Sequence, residues 1–66
     1  MKIDFYWNGS FVGVEYSIMI DDDEIFLGEY GLSENEAKLK SINILKNNFN
    51  IDYELNDIWF KFGGKL

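Results

Sequence analysis

Cysteine, histidine, arginine and proline are all absent from this 66-residue chain, and Ala37 is its only alanine. Without cysteine there is neither a disulfide framework nor a thiolate metal site. Without histidine the usual zinc ligand and the usual general base near neutral pH are missing. The lack of arginine removes the residue that most often reads base edges. No apolar run lasts beyond about ten residues, short of the roughly twenty that span a bilayer, and Met1-Lys2-Ile3-Asp4 does not read as a secretory leader. A cytoplasmic, soluble binding protein is expected, with no catalytic residues, no cofactor and no metal.

Positive charge is also scarce. Six lysines face twelve acids for a net charge of -6, so phosphate backbones and anionic membranes would be repelled. Direct nucleic-acid or membrane binding is therefore not expected. What the chain has in quantity is apolar surface: 47% of residues are hydrophobic and 18% aromatic, enough for one folded domain over residues 1–66, with 63–66 read as a loose tail.

Ile3, Phe5 and Trp7 alternate with Lys2, Asp4 and Tyr6, the period of a half-buried strand. Asn8-Gly9 suits a two-residue hairpin turn, which pairs Trp7 with Ser10, Phe5 with Val12 and Ile3 with Val14. The second strand continues through Tyr16, Ile18 and Ile20 on the same face. Beyond it the four acids at 21–24 read as a hydrated hairpin tip, setting Ile20 opposite Ile25 and Ile18 opposite Leu27. Ser33-Glu34-Asn35-Glu36 has the spacing of a capping box and opens a helix over about 34–48. Its broad apolar side gathers Ala37, Ser41, Ile42, Ile44, Leu45, Asn48 and Phe49. Alternation then returns in Ile51, Tyr53 and Leu55 and in Ile58, Phe60 and Phe62, which predicts a last hairpin with Leu55 opposite Ile58, Tyr53 opposite Phe60 and Asp52 opposite Lys61. The expected fold is α+β, a small antiparallel sheet in β-β-β-α-β-β order with one helix on one face.

One helix covers one face of such a sheet, so the residues pointing the other way decide what the protein touches. They include Tyr6, Phe11, Met19, Phe26, Tyr30 and Trp59, interspersed with Asp4, Glu15, Glu24, Asp52 and Glu54. Aromatic rings on an open sheet can stack nucleic-acid bases, but acids among them oppose a phosphate backbone. The combination fits a protein partner with a basic surface, the aromatic residues acting as anchors and the acids as steering charges. Closure of the face on a second copy, as a homodimer, or packing as an accessory subunit of a larger assembly, is the competing reading.

Other chemistry finds little support. The 21–24 acids lack the spacing of an EF-hand loop, the serines have no histidine to activate them, and the glycines do not form a phosphate loop. Asn8-Gly9-Ser10 matches a glycosylation sequon but reads first as a turn.

The stretch EYSIMIDDDEIFLGEYGLSENEAKLKSINILKNN resembles the later half of the double-stranded-RNA-binding domain, in which two strands run into a helix. Where that family has a lysine pair that grips phosphates, Glu34 and Asn35 stand here, while Ala37 and Lys38 match the end of the motif. In size, acidity and lack of catalytic residues the chain resembles the small inhibitors that phages encode against host nucleases and CRISPR effectors. That resemblance implies action in the cytoplasm of a bacterial host, by occupying the nucleic-acid site of a nuclease, polymerase or effector with carboxylates in place of phosphates.

Overall fold

A computed structural model describes residues 1–28 and 31–64; Glu29, Tyr30, Lys65 and Leu66 lie outside the described residues. Among these, β1 (Ile3–Ser10), β2 (Gly13–Ile20) and β3 (Asp23–Phe26) form an antiparallel meander, followed by α1 (Glu34–Phe49), a 3-10 turn (Leu55–Asp57) and β4 (Lys61–Phe62). The sheet runs in the order β3-β2-β1-β4, and β4 pairs with β1 in parallel. The fold is thus α+β with a four-stranded mixed sheet, and the expected β-β-β-α-β-β order and purely antiparallel pairing are corrected.

The first hairpin turns three residues later than the Asn8-Gly9 dipeptide predicts. Trp7 faces Tyr16, Phe5 faces Ile18 and Ile3 faces Ile20, with Ser10 opposite Gly13. This register sets every apolar residue of β1 against the bulky half of β2, whereas a turn at Asn8-Gly9 would leave Ile18 and Ile20 without β1 partners. Cross-strand packing at several positions outweighs one turn preference. The slide is an even number of positions along β2, so the buried face is unchanged. The turn residues Phe11 and Val12 have no positive φ; Gly13 takes φ 134 instead and lets the chain re-enter the sheet. The second hairpin also tightens by two residues: Asp21 and Asp22 alone form the turn, Ile18 faces Ile25, and Ile20 faces Asp23. Asp21 adopts a left-handed φ of 53, its N–H donates to the Lys2 carbonyl at 2.8 Å, and its carboxylate accepts from the Lys2 N–H at 3.0 Å.

The helix begins as its capping box predicts. The Ser33 hydroxyl accepts from the Glu36 N–H at 3.1 Å, and the Glu36 carboxylate accepts from the Ser33 N–H at 3.0 Å. Asn50 ends it in the left-handed region (φ 55, ψ 39), its N–H donating to the Lys46 carbonyl at 3.1 Å. Ala37, Ser41 and Leu45 are buried against the sheet, and Ser41 satisfies its hydroxyl on the Ala37 carbonyl at 2.8 Å. Ala37 and Leu45 share the core with Phe5, Ile18, Ile20 and Leu27. Asn48 is exposed rather than part of that side.

No hairpin forms over 51–62. Residues 51–54 are not in a strand, and the Asp57 N–H turns back to the Glu54 carbonyl at 2.9 Å. Neither the Leu55–Ile58 and Tyr53–Phe60 pairs nor the Asp52–Lys61 pair exists as expected, and Leu55 is exposed. The alternation nevertheless marked Ile51, Tyr53, Ile58 and Phe60 as inward, and each packs into the core. Tyr53 and Phe60 both meet the Phe5 ring edge-on, at 5.6 and 5.8 Å between centroids. Pulled toward Phe5, the returning chain joins the edge of β1 instead of folding on itself, and the Gly63 N–H donates to the Trp7 carbonyl at 2.8 Å.

Two tests follow from this local chemistry. Gly13→Ala should lower unfolding free energy by about 1–3 kcal/mol in urea, because φ 134 is strained for an L side chain; an unchanged value would move the turn elsewhere. Hydrogen bonding from the Ser33 backbone, and secondarily from its side chain, holds the Glu36 carboxyl below its ordinary value of 4.5. A folded pKa that is lowered contributes stability fully present above pH 4.5 and lost as pH falls through the depressed value. Glu36→Gln should therefore be less stable than the wild type at neutral pH, with the gap closing in acid; a gap independent of pH would refute the ionic share of the cap.

Candidate functional site

Alternation along the strands sends Ile3, Phe5, Trp7, Tyr16, Ile18 and Ile20 to the helix and sends a different set outward. The register orders that outward set in rows across the sheet. Asp4, Met19 and Glu24 form one row, Lys61, Tyr6, Ser17 and Phe26 the next, and Asn8 with Glu15 a third. Among the described residues no helix covers these rows. Six of the expected contact residues, Asp4, Tyr6, Glu15, Met19, Glu24 and Phe26, are thus brought together on one face.

Their neighbours differ from those expected. Tyr6 lies opposite Ser17, not Phe11, and Met19 lies opposite Glu24, not Phe26. Both differences follow from the slid registers. Phe11 sits in the first turn, fully exposed and away from the rows. Trp59 is 78% exposed between buried Ile58 and Phe60, so by alternation it points to the same side as Lys61. Asp52 and Glu54 do not join the face, since no strand carries them: Asp52 pairs with Lys46 on the helix at 3.0 Å, and Glu54 stands exposed before the 3-10 turn. Tyr30 lies outside the described residues.

The electrostatics of the face are uneven. The Asp4 carboxylate holds the Lys61 ammonium at 3.2 Å and lies 3.9 Å from that of Lys2. Lys61 also stands 5.9 Å from the Tyr6 ring centre, within reach of a weak cation–π attraction. Glu24 has a different partner. One of its oxygens accepts from the Ser17 hydroxyl at 3.1 Å, and among the described residues no lysine pairs with it.

Ser17 and Asn8 are buried beneath their neighbours on this side. Tyr6, Asn8, Met19, Glu24 and Gly63 line a shallow depression there, of about 250 Å³. Gly63 is required at its rim: a Cβ there would press into the Asn8 carboxamide. Asn8, Ser17 and Gly63 were not among the expected contact residues. Assigning Asn8 to a turn and Gly63 to a tail hid two of them, whereas the outward parity of Ser17 was legible from its place between Tyr16 and Ile18.

Among the described residues no cluster of acids is arranged to hold a metal ion, and no helix is long and apolar enough to cross a membrane. No protein family, curated protein or solved structure matches this chain.

Gly63→Ala should displace the Asn8 side chain and cost about 1–3 kcal/mol in urea unfolding. Backbone amide shifts confined to Asn8, Tyr6 and β4 would locate the change; an unaltered spectrum and stability would mean that β4 lies farther from β1.

Proposed function

We propose that this chain is a small protein-binding module that inhibits a nucleic-acid-handling protein, a nuclease, polymerase or CRISPR-type effector, by laying its open sheet face and adjoining acidic tip into a basic groove. The observation that carries the reading is the composition of the uncovered face. Tyr6, Met19 and the 54%-exposed Phe26 lie among Asp4, Glu15 and Glu24, and the acid run continues from Glu24 through Asp23 into the Asp21-Asp22 turn. Exposed aromatic residues supply anchors, and carboxylates supply charges that stand in for phosphates. Action is by binding in a bacterial cytoplasm, without catalysis or cofactor.

The contact surface is narrower than the full set of acids, because Asp52 is neutralised by Lys46 away from the face. Self-association is the weaker reading on electrostatic grounds. Pairing this face with a second copy would bring two acidic surfaces together, each on a chain of net charge -6.

Capture from a bacterial lysate at low and high salt, with excess duplex DNA as competitor, tests the proposal. A nucleic-acid enzyme held at low salt and released by DNA is the expected result. Phe26→Ala with Trp59→Ala should raise its off-rate roughly tenfold or more, and Glu15→Lys should weaken binding and its salt dependence. Capture indifferent to DNA, or a dimer mass that only the wild type shows, would overturn it.

A further inference from the structure

In the middle of the open face the sheet carries a small outward side chain, Ser17, flanked across the strands by Tyr6 and Phe26. Beside it lies the depression lined by Tyr6, Asn8, Met19, Glu24 and Gly63. Its volume of about 250 Å³ falls below the roughly 300–1,000 Å³ of small-molecule sites and suits a single inserted side chain.

The lining specifies which one. Glu24 is half-buried, and its carboxylate is held in place by the Ser17 hydroxyl at 3.1 Å. The face's other inner carboxylate, Asp4, draws both Lys61 and Lys2, which leaves Glu24 without a cation among the described residues. A fixed carboxylate on an acidic protein, bordered by the thioether of Met19 and the ring of Tyr6, complements a planar cation on an apolar stem.

We propose that this depression seats an arginine side chain from the basic surface of the partner. The guanidinium forks onto the Glu24 carboxylate while its methylenes lie along Met19 and Tyr6. Each carboxylate oxygen has two acceptor positions, so the Ser17 bond does not prevent the fork. Ser17 and Glu24 act together, the hydroxyl aiming the carboxylate before the partner arrives. The inference rests on the protein-binding reading and names the chemistry that the partner must bring.

The test is a titration of the ¹⁵N-labelled full chain with a tetra-arginine peptide at low salt, followed by amide shifts. Shifts centred on Tyr6, Ser17, Met19 and Glu24 are expected, with tetra-lysine binding several-fold more weakly. Glu24→Gln keeps an acceptor for Ser17 and so should keep the fold, yet should lose roughly tenfold in affinity; Asp22→Asn should change little. Shifts centred on Asp21–Asp23, or equal binding by Glu24→Gln, would overturn the pocket while leaving partner capture to stand or fall by itself. Intact arginine binding beside failed partner capture would sink the inhibitor reading and keep the pocket.

Discussion

The ring of Phe5 points from the inner strand β1 into the core, and Tyr53 and Phe60, from the two sides of the 3-10 turn, meet it edge-on. Edge-to-face contacts of this kind add roughly 0.5–1.5 kcal/mol each beyond the area they bury. They tie the segment after the helix to the strand that opens the chain, and the position of β4 beside β1 follows. Phe62 then reaches Trp7 at 4.7 Å between ring centres, and Tyr16 packs on Phe60 at 4.8 Å. Burial, with the Glu34 carboxylate as a lesser cause, pushes the Tyr16 phenol above its usual 10.0. The helix, the hairpins and the open face are all arranged around this aromatic clamp.

A chain of 66 residues has little apolar surface beyond what one core requires, and one helix shields one side of its sheet. The opposite side is not left simply wet. Ser17 and Asn8 are buried beneath their neighbours there, and among the described residues no buried side-chain polar atom lacks a hydrogen-bond partner. A polar group that is buried and satisfied holds its neighbours in one arrangement, because moving them would expose it to a partner-free state. The face therefore combines a rigid centre with exposed aromatic groups, Phe26 and Trp59, at its margins.

Parity was legible in the sequence, and pairing was not. Side-chain alternation fixed which of Ile3, Phe5, Tyr53, Ile58 and Phe60 face inward, because burial depends on the residue itself. Hydrogen-bond partners depend on a comparison between distant segments. Asn8-Gly9 is a strong local signal, yet it competes with Ile18 and Ile20, which gain Phe5 and Ile3 only if the turn moves to Phe11-Val12. The same argument separates the two ends of α1. Its start is a four-residue pattern from Ser33 to Glu36, visible without any tertiary knowledge. The course of the chain after Asn50 depends on the position of Phe5, some 45 residues away in sequence, and period-2 alternation is equally compatible with a hairpin and with an extended return to β1. Six of the expected contact residues met on the face because they depend on parity alone. Asp52 and Glu54 missed it because they depended on the hairpin that does not form.

The lysines also sort the acids into two populations. Lys2 and Lys61 converge on Asp4, Lys46 meets Asp52, and Lys38 meets Glu34 one helical turn away. Exposed pairs such as these contribute about 0–1 kcal/mol apiece to stability, so their larger effect is on the external field. They cancel charge along the helix and at the β1 end of the face. Asp21, Asp22, Asp23 and Glu24 have no such lysine among the described residues, and they follow one another from the turn into the edge strand β3. An unbroken run of acids without a lysine partner among the described residues therefore lies at one corner of the sheet. A field with a direction orients an approaching basic surface as well as attracting it, and this corner adjoins the row in which Glu24 and Met19 border the central depression.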